Sequence, residues 1–337
     1  MPIPDPRHQG AFAGARAHAA LRSARPALIL ISLSFLFCAA APAVEPVTSS
    51  DPIVTSTLIY VSDYFSFIGS DSQGRVAFAL DASRGRDGSK YQAEHFVVLH
   101  DERQGWVAVD GIGPYPNPTR ELAGIPDSAF FHFEGTAKSG LTIVSAKNDL
   151  TLKISGIPLH TQSAHAGSVT WMGSAPAVLT WLGRTIAGRV IHEYLMMPNF
   201  NRLSRTYWGM WKDYHGLYLS ADPNHDIYVH SHQSDRLAHL ISKLAGFAVF
   251  REIPETLQDL RFEVIETDFA PGFYRYPKLW RVTWTGSAGQ GTMMLALSYR
   301  KSVTNWLIGG FSMGIVTGDL HYDGKSWPIY GLAEIIL

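Results

Sequence analysis

The residues best suited to chemistry crowd into one stretch, Gly188 to Asp222, GRVIHEYLMMPNFNRLSRTYWGMWKDYHGLYLSAD. It holds His192, Glu193, Tyr194, Tyr207, Trp208, Trp211, Asp213 and Tyr214, mostly at strand spacing. Groups that give or take protons, set among large aromatic faces, are the wall of a mostly apolar ligand cavity. The plainer reading is an amphipathic hairpin whose aromatics fill a β core. Side chains alternate along a strand, so His192 and Tyr194 share one face and Glu193 takes the other. His192 and Tyr194 are therefore placed inside, and Asp213 is preferred to Glu193 as their acidic partner. A lone histidine on an apolar strand is more often a buried one satisfied by a carbonyl or an aspartate.

Other motifs point less far. His230 and His232 form a His-x-His pair near His225 and Asp226 that would chelate zinc only if a third ligand converged. Surrounded by Ser231, Gln233 and Ser234, the pair reads as a solvated strand end, and no metal is assigned. Glu94 with His95, and His160 with His165, are weaker versions. GFSMG, Gly310 to Gly314, matches the Gly-x-Ser-x-Gly of a hydrolase elbow, but that motif needs a strand-to-helix turn and a further strand follows it here. WTGSAGQG has neither the lysine nor the helix of a phosphate cradle.

The elements that would position these residues are short. From Leu58 onward, apolar runs of four to eight residues rich in Val, Ile, Tyr, Phe, Trp and Thr alternate with Gly, Asp, Asn and Ser turns, the pattern of an antiparallel β protein. TLIYVSDYFSFIG and RVAFALDA make one hairpin, HFVVLHD and GWVAVDGIG a second, and GLTIVSA and LTLKISG a third across Lys147-Asn148-Asp149. Pro114 to Pro126 is a loop. Trp280, Val282 and Trp284 share a strand face. Gln233 to Val249 predicts the one helix, from Leu237, Leu240, Ile241 and Leu244. A dozen or more strands without βα alternation imply two barrels in tandem, with one large sandwich as the alternative. The small-residue region Gln162 to Pro176 reads as loop and places the boundary near Gly183, giving domains 58–183 and 184–337.

The 337 residues have a formal net charge of −1, which argues against a nucleic-acid groove. Arg16, Arg22 and Arg25 precede the apolar run Ala27 to Ala41, and Ala41-Pro42-Ala43 offers a small-x-small cleavage site, so residues 1–43 are expected to be a secretory signal. The alternative is an uncleaved anchor. A polar linker, 44–57, follows. Cys38 is the only cysteine and lies in that run, leaving the exported chain without disulfides or thiolate sites, as suits a bacterial periplasm.

From end to end the chain resembles the carotenoid hydratase and AttH-like family of tandem lipocalin-like proteins. Asp63-Tyr64-Phe65-Ser66-Phe67 with RVAFALDA is similar to the family's opening acid-Trp-Trp-Tyr strand and hairpin. GRVIHEY is similar to the strand with its His-x-Trp pair, WGMWKDYHGLYLSAD to its tryptophan-rich strands, and GGFSMGIVTGDLHYDGKSWPIYGLAEIIL to its closing strands. Asp63 and Tyr64 replace Glu and Trp, Tyr194 replaces the second residue of the His pair, and Asp213, Asp222 and Asp226 compete for the family's downstream aspartate.

The resemblance implies two lipocalin-like barrels, the second with a helix between strands, around an isoprenoid or polyketide-like substrate. It implies a cofactor-free lyase of the hydratase or cyclase type. From the residues themselves, His192, Asp213 and Tyr194 are expected to be catalytic, and Trp208, Trp211, Tyr207, Tyr64, Phe65 and Trp284 to bind the ligand. A neutral carboxylic acid would protonate the alkene and aromatic faces would hold the cation. The alternative is a non-catalytic periplasmic lipid or isoprenoid carrier. The expected partner is a hydrophobic small molecule and no nucleic acid. Peripheral membrane association is left open, as is the oligomeric state.

Overall fold

The computed structural model describes residues 57–165, 168–198, 212–222, 225–233, 242–250, 252–269, 275–306 and 309–336. The N-terminal apolar run and Tyr207, Trp208 and Trp211 lie outside them. Nineteen strands and no helix form the regular structure of the described residues. In the first sheet the order is β4 (Gly105–Pro116), β3 (Lys90–Asp101), β2 (Gly74–Asp87), β1 (Leu58–Asp71), β10 (Arg184–Pro198), β9 (Ser168–Trp181), β7 (Leu150–Ile154), β6 (Gly140–Ser145) and β5 (His132–Thr136), with β8 (Leu159–His165) also on β9. In the second it is β14 (Ile253–Thr256), β13 (Ser242–Phe250), β12 (His225–Gln233), β11 (Lys212–Asp222), β19 (Lys325–Ile336), β18 (Gly309–Tyr322), β17 (Gly289–Trp306), β16 (Arg275–Gly286) and β15 (Gln258–Phe269). Both are antiparallel meanders whose last long strand returns to pair with the first, β10 on β1 and β19 on β11.

Each sheet curls around its own apolar trough. Phe78 and Leu80 of β2 and Leu99 of β3 share one cluster with Ile143 of β6 and Leu152 of β7, although these strands are far apart in the sheet. In the second sheet Val229 and Ala248 meet Trp280 and Val282 in the same way. The outer faces then pack on each other: Tyr64, Ile68, Ala79 and Ile191 from the first meet Tyr218, Tyr228, Phe247 and Leu332 from the second. Central strands are consequently buried on both faces, and eleven consecutive residues of β1, Ile59 to Gly69, are out of solvent. Each fully buried Phe or Leu in such a layer contributes about 1.5–3 kcal/mol.

Three sequence expectations are corrected. Where a helix was expected over Gln233 to Val249, Ser242–Phe250 is strand β13 and Gln233 ends β12; 234–241 lie outside the described residues. Over 247–249 both faces are buried, Phe247 and Val249 facing the other sheet and Ala248 the trough, so the apolar residues there do not alternate; Leu237, Leu240 and Ile241, which carry the helical spacing, lie outside the described residues. The region Gln162 to Pro176 is largely the β8–β9 hairpin. The sheets also part later than Gly183, between Pro198 and Lys212, because β10 is hydrogen-bonded between β1 and β9.

A buried ionic clamp joins the sheets. Arg189 of β10 donates to Asp226 of β12 and, at 2.6 Å, to Glu252, while the Ser174 hydroxyl also donates to Asp226. Burial pushes the Asp226 carboxyl up to about 6 despite the arginine. A raised carboxyl pKa favours the folded state at low pH, and that contribution is lost as pH rises from the unfolded value of 3.8 through about 6. Removing the cation leaves a buried carboxylate unpaired, at about 3–5 kcal/mol. Arg189→Ala is therefore expected to lower the melting temperature more at pH 8 than at pH 5, where a protonated Asp226 has no charge to desolvate. Thermal unfolding at the two pH values checks this.

Candidate functional site

The pairing of β1 with β10 sets Phe65 opposite His192 and Asp63 opposite Tyr194, and β2 sets Ala82 opposite Asp63 with Arg84 next on the same face. The two-residue strand period sends all five side chains, Asp63, Phe65, Arg84, His192 and Tyr194, into the first trough. There His192 Nε2 lies 2.7 Å from Asp63 Oδ1, and Arg84 Nη1 donates to Asp63 Oδ2, also at 2.7 Å. Arg84 has no exposed surface. Its Nε donates to the carbonyl of Leu122 at 2.6 Å and its Nη2 to that of Ala123 at 3.2 Å.

Burial alone would push the pKa of the Asp63 carboxyl up. Arg84 and His192 outweigh it and hold the carboxyl below its ordinary value. A carboxylate can only accept, so the network assigns the imidazole proton to Nε2 and leaves the Nδ1 lone pair as the reactive position. Phe65 stacks under the imidazole with centroids 4.6 Å apart and planes 9° from parallel.

Three layers fill this trough. At the bottom is the Phe65, Phe67 and Val190 core, and in the middle the Asp63, Arg84 and His192 belt. At the mouth is a second apolar cluster in which Tyr194 leans on Trp171 at 4.6 Å, with Ile59, Val61 and Leu122 around them. Beside the belt, His95 is buried, with Nδ1 3.0 Å from the Ser128 hydroxyl and Nε2 3.3 Å from that of Tyr115. Burial pushes its pKa down to about 4, so it is neutral at physiological pH.

Tyr64 and Glu193 point the opposite way, into a cavity of about 60 Å³ between the sheets, bordered also by Asp81, Tyr214, Tyr218 and Glu334. Glu193 Oε2 accepts from the hydroxyls of Tyr228 at 2.7 Å and Tyr218 at 3.1 Å. Burial pushes both phenols well above their ordinary range, so they are neutral donors. Tyr64 stacks on Tyr218 at 4.6 Å, and its buried hydroxyl has no hydrogen-bond partner. At ~30 Å³ per water the cavity has room for about two waters.

Of the residues singled out from sequence, the structure thus joins His192, Tyr194 and Phe65 in one trough and separates Tyr64 and Glu193 from them. Trp284 belongs to neither place: it is 2% exposed in the second sheet's core, against Trp280 and Val282. Its indole packs in that core. Asp213 lies on β11, with its side chain, like Tyr207, Trp208 and Trp211 in full, outside the described residues. The sequence reading missed Asp63 as the partner of His192, and Arg84 altogether. The available signal was Asp63 inside YVSDYFSF, and the charges of Asp81 and Arg84 in FALDASR, which pairs with it.

No group of three His, Cys, Asp or Glu side chains among the described residues could hold a metal ion. His225 packs on Phe250 and Trp327, whereas His230 lies beside Tyr228 of its own strand and Tyr214 of β11. Ser312 of GFSMG sits inside β18 and takes a 2.8 Å hydrogen bond from Arg300.

A depressed carboxyl contributes stability above its unfolded pKa and loses it as pH falls through the folded one. Asp63→Asn leaves Arg84 buried without its counterion and is expected to cost about 3–5 kcal/mol at pH 7. The gap to the parent chain should stay flat from pH 8 to 5 and close below the unfolded value of 3.8, which chemical denaturation across that range measures.

No family model matches the chain, and no curated protein matches it in sequence. Solved structures share its fold. Kievitone hydratase from Nectria haematococca is similar at a TM-score of 0.53 and 16% identity, over 88% of this chain and 94% of that one. A putative AttH from Nitrosomonas europaea gives 0.52 and 11%, over 87% and 98%. CghA, crystallised with Sch210972, gives 0.52 and 14%, over 86% and 94%. The architecture is therefore that of the tandem lipocalin-like proteins that the sequence resembles. At these identities the likeness is one of fold, and the chemistry must be argued from this chain's residues.

Proposed function

We propose that the chain binds a hydrophobic small molecule in the mouth of the first trough and acts on it as a cofactor-free hydratase or cyclase. The observation that carries this reading is the Asp63–His192 pair, 2.7 Å apart, beneath the apolar Tyr194 and Trp171 mouth. In hydration, an acid protonates one alkene carbon and the cation forms on the other, held by the aromatic faces of Tyr194 and Trp171. Water adds to that carbon and gives its spare proton to His192 Nδ1, while Asp63 balances the imidazolium. The proton then returns to the acid that gave it. In cyclisation His192 would take the proton lost from carbon instead. The substrate class is isoprenoid or polyketide-like, and the charge and small-residue pattern of residues 1–43 supports export to a periplasm.

The test begins with organic extraction of purified protein and mass spectrometry of what is bound. The recovered compound is then incubated with protein in D₂O and in ¹⁸O-labelled water. A hydratase puts deuterium on carbon and ¹⁸O into the product. His192→Ala should slow this by about 10²–10⁴-fold, the ordinary worth of a positioned acid or base, while still binding the compound. Retention of the compound with no isotope uptake by the parent chain would overturn the enzymatic reading and leave a carrier.

A further inference from the structure

Loop 117–131, between β4 and β5, closes the mouth of the first trough. Its attachment there is narrow. Among the described residues, no main-chain group from 118 to 127 hydrogen-bonds to the main chain of a strand. The loop is pinned at its two ends, where the Asn117 N–H donates to the carbonyl of Tyr91 at 2.9 Å and Ser128 meets His95. Between them, Arg120 reaches the Ser89 carbonyl at 3.3 Å, the guanidinium of Arg84 holds the Leu122 and Ala123 carbonyls, and the Asp127 carboxylate accepts from the Phe133 N–H at 2.9 Å with His132 Nδ1 2.6 Å away. A segment with so few strand-like bonds opens at lower free energy than the sheet it covers.

Leu122 is the loop's contribution to the interior. It is 5% exposed and packs with Ile59, Val61, Trp171 and Tyr194, the side chains that face the mouth above His192. The indole N–H of Trp171 is buried in the same place without a hydrogen-bond partner. An aliphatic side chain carried in by a loop thus fills a pocket with an aromatic wall and one unused donor.

We propose that Leu122 is a built-in stand-in for the aliphatic end of the guest, and that loop 117–131 is the gate that must lift it out, with Arg84 as the latch. This rests on the reading of the first trough as the ligand seat, and it adds the route of entry and the mechanism of closure. Arg84 suits the part because one rigid fork spans both sides. It holds Asp63 on the sheet and two carbonyls on the loop, so closing the loop and fixing the carboxylate that orients His192 are one event. A guest entering as Leu122 leaves offers an aliphatic group to the vacated wall and a hydrogen-bond acceptor to Trp171.

The test uses stopped-flow binding of N-phenyl-1-naphthylamine, a neutral apolar fluorophore, with hydrogen exchange of peptides covering 117–131. Leu122→Ala removes the plug and keeps the backbone. Arg84→Lys keeps a cation beside Asp63 but cannot fork to both carbonyls, so it releases the latch. If the open state is on the order of 10% of the parent population, either change should raise apparent affinity about tenfold. Both should also quicken association, with faster exchange confined to 117–131 in Arg84→Lys. Probe binding by the parent chain with unchanged affinity, association and exchange in both variants would overturn the gate while leaving the seat. Absence of probe binding in the parent and in Leu122→Ala alike would overturn the seat and the gate together.

Discussion

Everything in this molecule depends on β1, and the middle of β10 from Arg189 to His192, being dry on both faces. A strand with one wet face can keep its polar residues in water, whereas here each residue of Ile59 to Gly69 must find a buried neighbour. The two-residue period divides them. Asp63, Phe65, His192 and Tyr194 go to the trough, and Tyr64 and Glu193 to the seam between the sheets, although these residues adjoin in sequence and pair across the same ladder. A single backbone ribbon thereby serves two chemically separate environments back to back, and a one-residue slip in the β1–β10 register would exchange them.

The same constraint decides how the polar groups are satisfied. On the seam side, Glu193 is met by neutral phenols from the opposite sheet, so its hydrogen bonds also tie the two sheets together. In the trough, Asp63 is met by a guanidinium and an imidazole from the same sheet. The seam arrangement has an evident structural use. The trough arrangement holds nothing across an interface except loop 117–131, whose carbonyls accept from Nε and Nη2 of Arg84.

Much of the fold was legible because hairpins are local. The β6–β7 turn around Asp149, which takes a positive φ of 47°, and the β2 to β4 meander follow from turn chemistry and strand spacing alone. The return of β10 onto β1 was not, since it joins residues more than a hundred apart through matched burial on two faces, which no short window displays. Strand β13, where the end of a helix was expected, has the same origin. At the site, His192 and Tyr194 stood out by residue type and parity, and parity also put Glu193 on the far face. Asp63 did not stand out, because it lies in a different hairpin, and Arg84 did not, because an arginine near a strand end reads as solvated. Trp284 was read as a ligand contact, and an indole lining a guest cavity and one filling a core look alike in sequence.

The cost of the trough's charges bears on whether it serves storage or chemistry. Moving a carboxylate and a guanidinium out of water costs several kcal/mol each, and replacing such a buried pair with well-packed apolar side chains is often neutral or stabilising by about 1–4 kcal/mol. A cavity that only had to hold an apolar guest would gain nothing from that expense, since Phe, Leu and Ile would hold the guest and the fold better. A cavity that has to move a proton needs the pair, because the imidazole must present one nitrogen in a fixed orientation and have its transient charge balanced without rearrangement. Asp63 meets the second need and Arg84 keeps Asp63 charged while it does so. The proposal of an enzyme over a carrier therefore rests on the Asp63–His192 pair more than on the greasy mouth above it, because both kinds of protein can use the mouth and its latch and only one has a use for an oriented imidazole.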